Sequence, residues 1–157
     1  KKIMDMIRYP ERLTYAGRLD KDSEGLILLT NDGDLINVMM RGANRHEKEY
    51  IVKTDREITP DFLEKMAKGI YLKDLDITTR ECEIEQIGKF TFRIVLTQGV
   101  NRQIRRMCEA CGYRVKALKR IRIMNILLGD LKPGKWREVT GEELEQLQRD
   151  TGMLNRN

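Results

Sequence analysis

Histidine, tryptophan, cysteine and proline are all scarce in this 157-residue chain, with one His, one Trp, three Cys and three Pro, and aromatic residues make up only 6%. A single histidine, His46, excludes a two-histidine metal motif, and no Ser-His-Asp arrangement suggests itself around it. Cys82, Cys108 and Cys111 are an odd set in a chain with no apolar leader. That argues against a secreted disulfide scaffold and for a reducing compartment, so the chain is expected in the cytoplasm. No apolar run approaches the roughly 20 residues of a membrane-spanning helix. Repeats, Pro/Ser-rich linkers and breaks in composition are also missing, which favours one domain over residues 1–157.

Charge is plentiful. Thirty Lys+Arg against 25 Asp+Glu leave a net +5, charged residues are 35% of the chain, and the pI is near 9.2. A polyanion, with nucleic acid foremost, is the partner this balance suggests. A mean hydropathy of −0.56 describes a globular chain. A domain of this length buries roughly 70% of its unfolded surface, so it needs no disulfide or metal to fold.

Strand and helix signals interleave without strict alternation, which reads as an α+β fold. Residues 25–30, Gly-Leu-Ile-Leu-Leu-Thr, predict a short buried strand closed by Asn31-Asp32-Gly33-Asp34, and Leu35, Val38 and Met39 predict a helix capped by Asn31 or Asp32. Residues 49–54 predict a strand, and Thr59-Pro60-Asp61 opens a helix with the stripe Phe62, Leu63, Met66. The alternation Cys82-Ile84-Gln86 and Phe90-Phe92-Ile94-Leu96, either side of Gly88-Lys89, predicts a hairpin ending at Gln98-Gly99. Residues 101–111 predict a helix stopped by Gly112, with Ile104, Met107, Cys108 and Cys111 on one side and Arg102, Arg105, Arg106 and Glu109 on the other. Short β pieces follow at 115–118, 121–128 and 136–139, then a capping box, Thr140-Gly141-Glu142-Glu143, before a helix using Leu144 and Leu147 and a frayed end.

Three stretches carry candidate chemistry. In the polar loop Ala16-Gly17-Arg18-Leu19-Asp20-Lys21-Asp22-Ser23-Glu24-Gly25, a guanidinium and a carboxylate stand two residues apart at the mouth of a strand. Read alone, it is also an ordinary solvated turn, and its acids lack the spacing of a calcium loop. Asn101-Arg102-Gln103-Ile104-Arg105-Arg106 gathers three arginines near a helix start, where phosphate suits both the side chains and the free amides; the alternative is an exposed amphipathic face. Glu47-Lys48-Glu49-Tyr50 leads an aromatic into a strand, as a core residue or a stacking platform. Cys108 and Cys111 read as buried hydrophobes, since no second pair completes a metal site. His46 reads as a surface or RNA-contacting residue.

Taken together, Gly17 to Leu26, Lys48-Glu49-Tyr50 and Gly99-Val100-Asn101-Arg102-Gln103-Ile104-Arg105-Arg106-Met107-Cys108 resemble, in order and spacing, the bacterial ribosomal RNA pseudouridine synthases. The resemblance runs from about Tyr15 to about Leu147. His46-Glu47-Lys48-Glu49-Tyr50 and Arg122-Ile123-Met124-Asn125 look most like the large-subunit enzyme that modifies 23S ribosomal RNA in the peptidyl-transferase region. The resemblance implies a mixed, largely antiparallel central sheet with flanking helices and a basic cleft for RNA. It also implies that Asp20 is the catalytic aspartate, that Arg18 enters the RNA stack where the target base has been flipped out, that Tyr50 packs on the extruded uracil, and that Arg105 pairs with the aspartate. Lys48, Arg102 and Arg106, with Lys116, Lys119, Arg120 and Arg122, would contact phosphates.

The implied reaction isomerises uridine to pseudouridine with no change of redox state and no group donor, so no cofactor and no metal are expected. The implied partner is 23S ribosomal RNA, with a transfer RNA left open, acted on by a monomer without a membrane. Family members usually begin with a small RNA-binding domain and a strand containing Asn-Lys-Pro. This chain starts at Lys1-Lys2-Ile3-Met4 with neither, and is therefore expected to be the catalytic domain truncated at its N-terminus. The alternative function is a non-catalytic RNA-binding or ribosome-assembly module with the same fold.

Overall fold

A computed structural model describes residues 12–153. The expected truncated start and the frayed last residues lie outside that range. The elements in chain order are β1 (Thr14–Tyr15), β2 (Glu24–Gly25), β3 (Leu29–Thr30), α1 (Gly33–Met40), a 3-10 turn (Gly42–Asn44), β4 (Lys48–Thr54), α2 (Pro60–Lys68), β5 (Tyr71–Leu72), β6 (Ile77–Thr78), β7 (Glu83–Gly88), β8 (Thr91–Leu96), α3 (Gln103–Ala110), β9 (Val115–Ile123), β10 (Ile126–Leu127) and α4 (Gly141–Asp150). The central sheet runs β10-β9-β4-β8-β7, all antiparallel, and β2 adds to β9 in parallel. This is the mixed, largely antiparallel α+β architecture expected.

One face of this sheet is apolar because Val52 of β4, Phe92 and Ile94 of β8 and Leu118 of β9 alternate inward. Helices α2 and α3 cover it with Phe62 and Met66, and with Ile104, Met107 and Cys108. Phe62 stacks against Tyr113 with ring centroids 4.1 Å apart. Burial pushes the Cys108 thiol up to about 12 and Cys82 to about 11, so both behave as small hydrophobes. A second cluster, including Leu26, Leu28, Met39, Ile123, Ile126 and Leu147, packs α1 and α4 around the far end of β9.

Local signals explain most element ends. The Asp32 carboxylate accepts the amides of Asp34 and Leu35, and the Thr59 hydroxyl accepts the amide of Phe62 above Pro60. Gly112 closes α3 at φ 81°. Four expectations are corrected. Residues 25–30 are not one strand: β2 and β3 belong to different sheets, because Leu26 donates to the Arg120 carbonyl while Ala16 donates to that of Leu28. The pieces at 115–118 and 121–128 are mainly the single strand β9, and 136–139 is not a strand. The capping box is not formed: Thr140 caps α4 without a side-chain hydrogen bond, and the Glu143 carboxylate goes to Arg137 at 2.6 Å. The β5–β6 hairpin went unforeseen, its two-residue strands being too short to show a period.

The parallel contact of β2 with β9 requires Gly25. Its φ is +118°, and a Cβ there would stand 2.2 Å from the Arg120 carbonyl oxygen. Gly25→Ala is expected to lower the unfolding free energy by more than about 1 kcal/mol, measured by urea titration, because both the backbone angle and the strand spacing must change.

Candidate active site

A cavity of about 460 Å³ opens between the residue 17–23 loop, the inward face of β4 and β9, and the turn leading into α3. Tyr50 and Arg120 are direct cross-strand partners, and Lys48 stands two residues from Tyr50 on the same face of β4. Leu96, Leu118 and Ile104 are among the apolar residues of the lining. Asp20 is half-buried on one wall and Arg18 is exposed at the rim. Three segments far apart in sequence therefore meet at one depression, as the motifs implied.

Arg120 is buried at 2% exposure. Its Nε donates to the Leu26 carbonyl at 2.9 Å and its Nη1 to the Arg18 carbonyl at 3.1 Å, which ties the loop to the sheet. Burial pushes the Tyr50 hydroxyl above its ordinary value of 10, while the nearby Arg120 charge pulls it the other way and Asp20 adds to the rise. Lys48 is lowered by burial and then by Arg120. His46, also in the lining and two residues before Lys48, is lowered by burial and by Lys48, and its Nε2 is buried without a hydrogen-bond partner.

The loop is clamped from α3. Arg102 sits at the cap of that helix in the left-handed region, φ 52°, and grips Asp22 with both terminal nitrogens, at 3.0 and 3.2 Å. Arg105 Nη2 donates to the Asp22 carbonyl at 2.8 Å and to Ser23 Oγ at 3.3 Å. The expected Arg105–Asp20 ion pair is not formed; the carboxylate that Arg105 approaches is that of Asp22, at 3.6 Å. Arg106 folds back on Asn101, donating to its carbonyl at 2.8 Å. The three arginines thus do not form one free face, because the cap geometry turns Arg102 toward the loop.

The family model of RNA pseudouridylate synthase matches residues 4–110, more than half of the chain. The chain belongs to the RNA pseudouridylate synthase family. It is 49% identical, over 145 residues, to the dual-specificity RNA pseudouridine synthase RluF of Escherichia coli (strain K12), a match covering 92% of this chain and 49% of that protein. It is 36% identical over 140 residues to ribosomal small subunit pseudouridine synthase A of Vibrio parahaemolyticus serotype O3:K6, covering 87% of this chain and 60% of that one. A crystal structure of a pseudouridylate synthase superposes with a TM-score of 0.88 at 30% identity, over 92% of this chain and 64% of that one. The chain spans about half the length of the first of these relatives.

Within this pseudouridylate synthase fold, two residues expected at phosphates do other work. Arg120 is the buried fastening described above. Arg122 is held on the outer face of the sheet by Glu49 at 2.7 Å and Glu47 at 3.0 Å. Lys116 and Lys119 remain exposed on β9. Sequence reasoning missed Asp22 and Ser23 as the anchors of the loop, since neither stands out from the polar residues around it. Among the described residues, no three His, Cys, Asp or Glu side chains gather as a metal-ligand set, and no helix is long and apolar enough to cross a membrane.

The Asp22 clamp makes a testable distinction. Asp22 is held below its ordinary 3.8 chiefly by the Arg102 hydrogen bond. A lowered carboxylate contributes at all pH above 3.8 and fades as pH falls through the lowered value. Asp22→Ala is therefore expected to speed amide exchange at Ser23 and its neighbours at neutral pH while global unfolding barely moves, because the pair is exposed. Unchanged exchange in the loop would contradict the clamp.

Proposed function

We propose that this chain isomerises a uridine of 23S ribosomal RNA to pseudouridine, working as the catalytic domain of its family. The observation that carries the reading is that Asp20, Tyr50 and Arg18 line one cavity, roomy enough to admit an extruded nucleotide, in a chain that belongs to the pseudouridylate synthases. Isomerisation breaks the bond from ribose C1′ to uracil N1, turns the ring and joins C1′ to C5. The base must first leave the stack, at a cost of a few kcal/mol. Arg18 is suited to the vacated space because its plane stacks while its donors reach phosphate.

In this reading Asp20 works ionised, by attack on a carbon or by drawing a proton from the sugar. Tyr50 packs on the uracil as a neutral phenol, since burial holds its hydroxyl protonated. Arg105 and Arg102 act by holding the loop that carries Asp20. Lys48 and Arg106, with exposed Lys116 and Lys119, meet phosphate and give salt-dependent affinity, while specificity comes from RNA shape around an unpaired base. The rearrangement conserves redox state and transfers no group from a donor, so its chemistry calls for no cofactor. The compartment is that of ribosomal RNA, the cytoplasm. In this reading a monomer meets the RNA.

Site-resolved pseudouridine mapping tests the reading. A modification-free 23S transcript and a transfer RNA pool are incubated with the chain or with Asp20→Asn. New pseudouridine in 23S RNA is expected with the wild type, and a loss of more than about 10³-fold with the variant, with RNA affinity kept. RNA binding without modification by either protein would instead favour the non-catalytic module.

A further inference from the structure

We propose that Arg120 holds the negative charge of the severed uracil, a role that rests on the uridine-isomerising reading above. A fully buried guanidinium is costly unless a charge of opposite sign meets it. Among the described residues no carboxylate stands within ion-pairing distance of Arg120, whose hydrogen bonds go to the Leu26 and Arg18 carbonyls. Its remaining terminal nitrogen, Nη2, is buried and makes no hydrogen bond of good geometry, and the side chain lines the cavity beside its cross-strand neighbour Tyr50, whose hydroxyl feels its charge. An unsatisfied buried donor of this kind calls for an explanation, and an anion entering the cavity supplies one. Burial of Arg120 beside Leu118 removes it from water, which strengthens such a contact.

The chemistry creates that anion. When the C1′–N1 bond breaks, the bonding pair stays on N1 and uracil becomes a monoanion with charge spread over N1, O2 and O4. C1′ either bonds to the Asp20 carboxylate or, if Asp20 takes the C2′ proton, is left in a C1′–C2′ double bond. The ring then turns about its N3–C6 axis, which exchanges O2 with O4 as well as N1 with C5. A fixed donor aimed at one of these oxygens therefore finds an oxygen in the same place after the turn. C5 joins C1′ as Asp20 is released or returns the C2′ proton, the C5 proton passes to a base, and N1 takes up a proton. Arg120 donates a hydrogen bond throughout and gives up no proton. The two backbone carbonyls hold the guanidinium at the cavity wall before the charge forms.

The test compares wild type, Arg120→Gln and Arg120→Lys in single turnover on an RNA that the wild type modifies, and on the same RNA with 5-fluorouridine at the target. Fluorine stabilises the uracil anion and reduces what the protein must supply. Arg120→Gln is expected to slow conversion of the N-nucleoside to a C-nucleoside by about 10²–10³-fold on uridine. The loss should be clearly smaller on 5-fluorouridine, with RNA affinity unchanged, and Arg120→Lys should fall between. An equal loss on both RNAs, or no loss, overturns the proposal, because a merely structural role does not depend on the leaving group. Should the variants not fold, the Arg120 guanidinium resonance of the wild type decides: it shifts when the 5-fluorouridine RNA binds, and an unmoved signal overturns the proposal. Absence of pseudouridine with the wild type would instead overturn the functional reading itself.

Discussion

The parallel contact between β2 and β9 is the constraint on which the cavity depends. At Gly25 the chain runs so close to the Arg120 backbone that no side chain fits between them. From the same residue, the buried guanidinium reaches back to the Arg18 carbonyl, two positions before Asp20. The loop that carries Arg18 and Asp20 is thus fixed at both its beginning and its end by one residue of the central sheet. The clamp from α3 through Asp22 adds a third fastening from the other side. A polar loop at a strand end is ordinarily mobile, and these three attachments are what make it a rigid wall.

The sheet divides the remaining work between its faces. Inward residues of β4, β8 and β9 build the hydrophobic core under α2 and α3, and toward one end the same row gives way to Lys48, Tyr50 and Arg120. On the outward face Arg93 meets Glu49, Glu83 and Glu85, and Arg122 meets Glu49 and Glu47, so Glu49 of β4 is shared between arginines on both neighbouring strands. Isolated exposed pairs contribute little. Here Glu49 and both arginines are mostly covered, with side-chain exposures of 16–21%, so the ladder links three strands in register. Between the Tyr50–Arg120 and Glu49–Arg122 pairs the register shifts by one, leaving Ile121 as the extra residue of β9 and setting Arg122 beside Glu49 on the outer face.

Much of this is legible in the sequence wherever a local rule decides the outcome. The caps at Asp32, Thr59 and Gly112, the period of the β7–β8 hairpin and the apolar stripe of α3 all act within a few residues. The loop, the tyrosine and the arginine helix could be named as a set because their spacing matched a family. What escaped is non-local. Nothing near residues 25–30 tells that its two ends join different sheets. The partners of Arg102 and Arg105 lie some 80 residues away in the chain, so Asp22 could not be told from Asp20 as their carboxylate. Arg120 carried one overlooked signal: in Leu118-Lys119-Arg120 it takes the inward position of a strand, where a charge belongs only if something meets it.

The central claim is that the cavity beneath the residue 17–23 loop receives a single extruded base. A crystal structure of the Asp20→Asn protein with an RNA containing the modified site tests it most directly. The account predicts the target uracil out of the stack, its ring on Tyr50, one oxygen facing Arg120 and Arg18 in the space it left. A uracil still paired or stacked in the RNA, with the cavity bypassed, would contradict it.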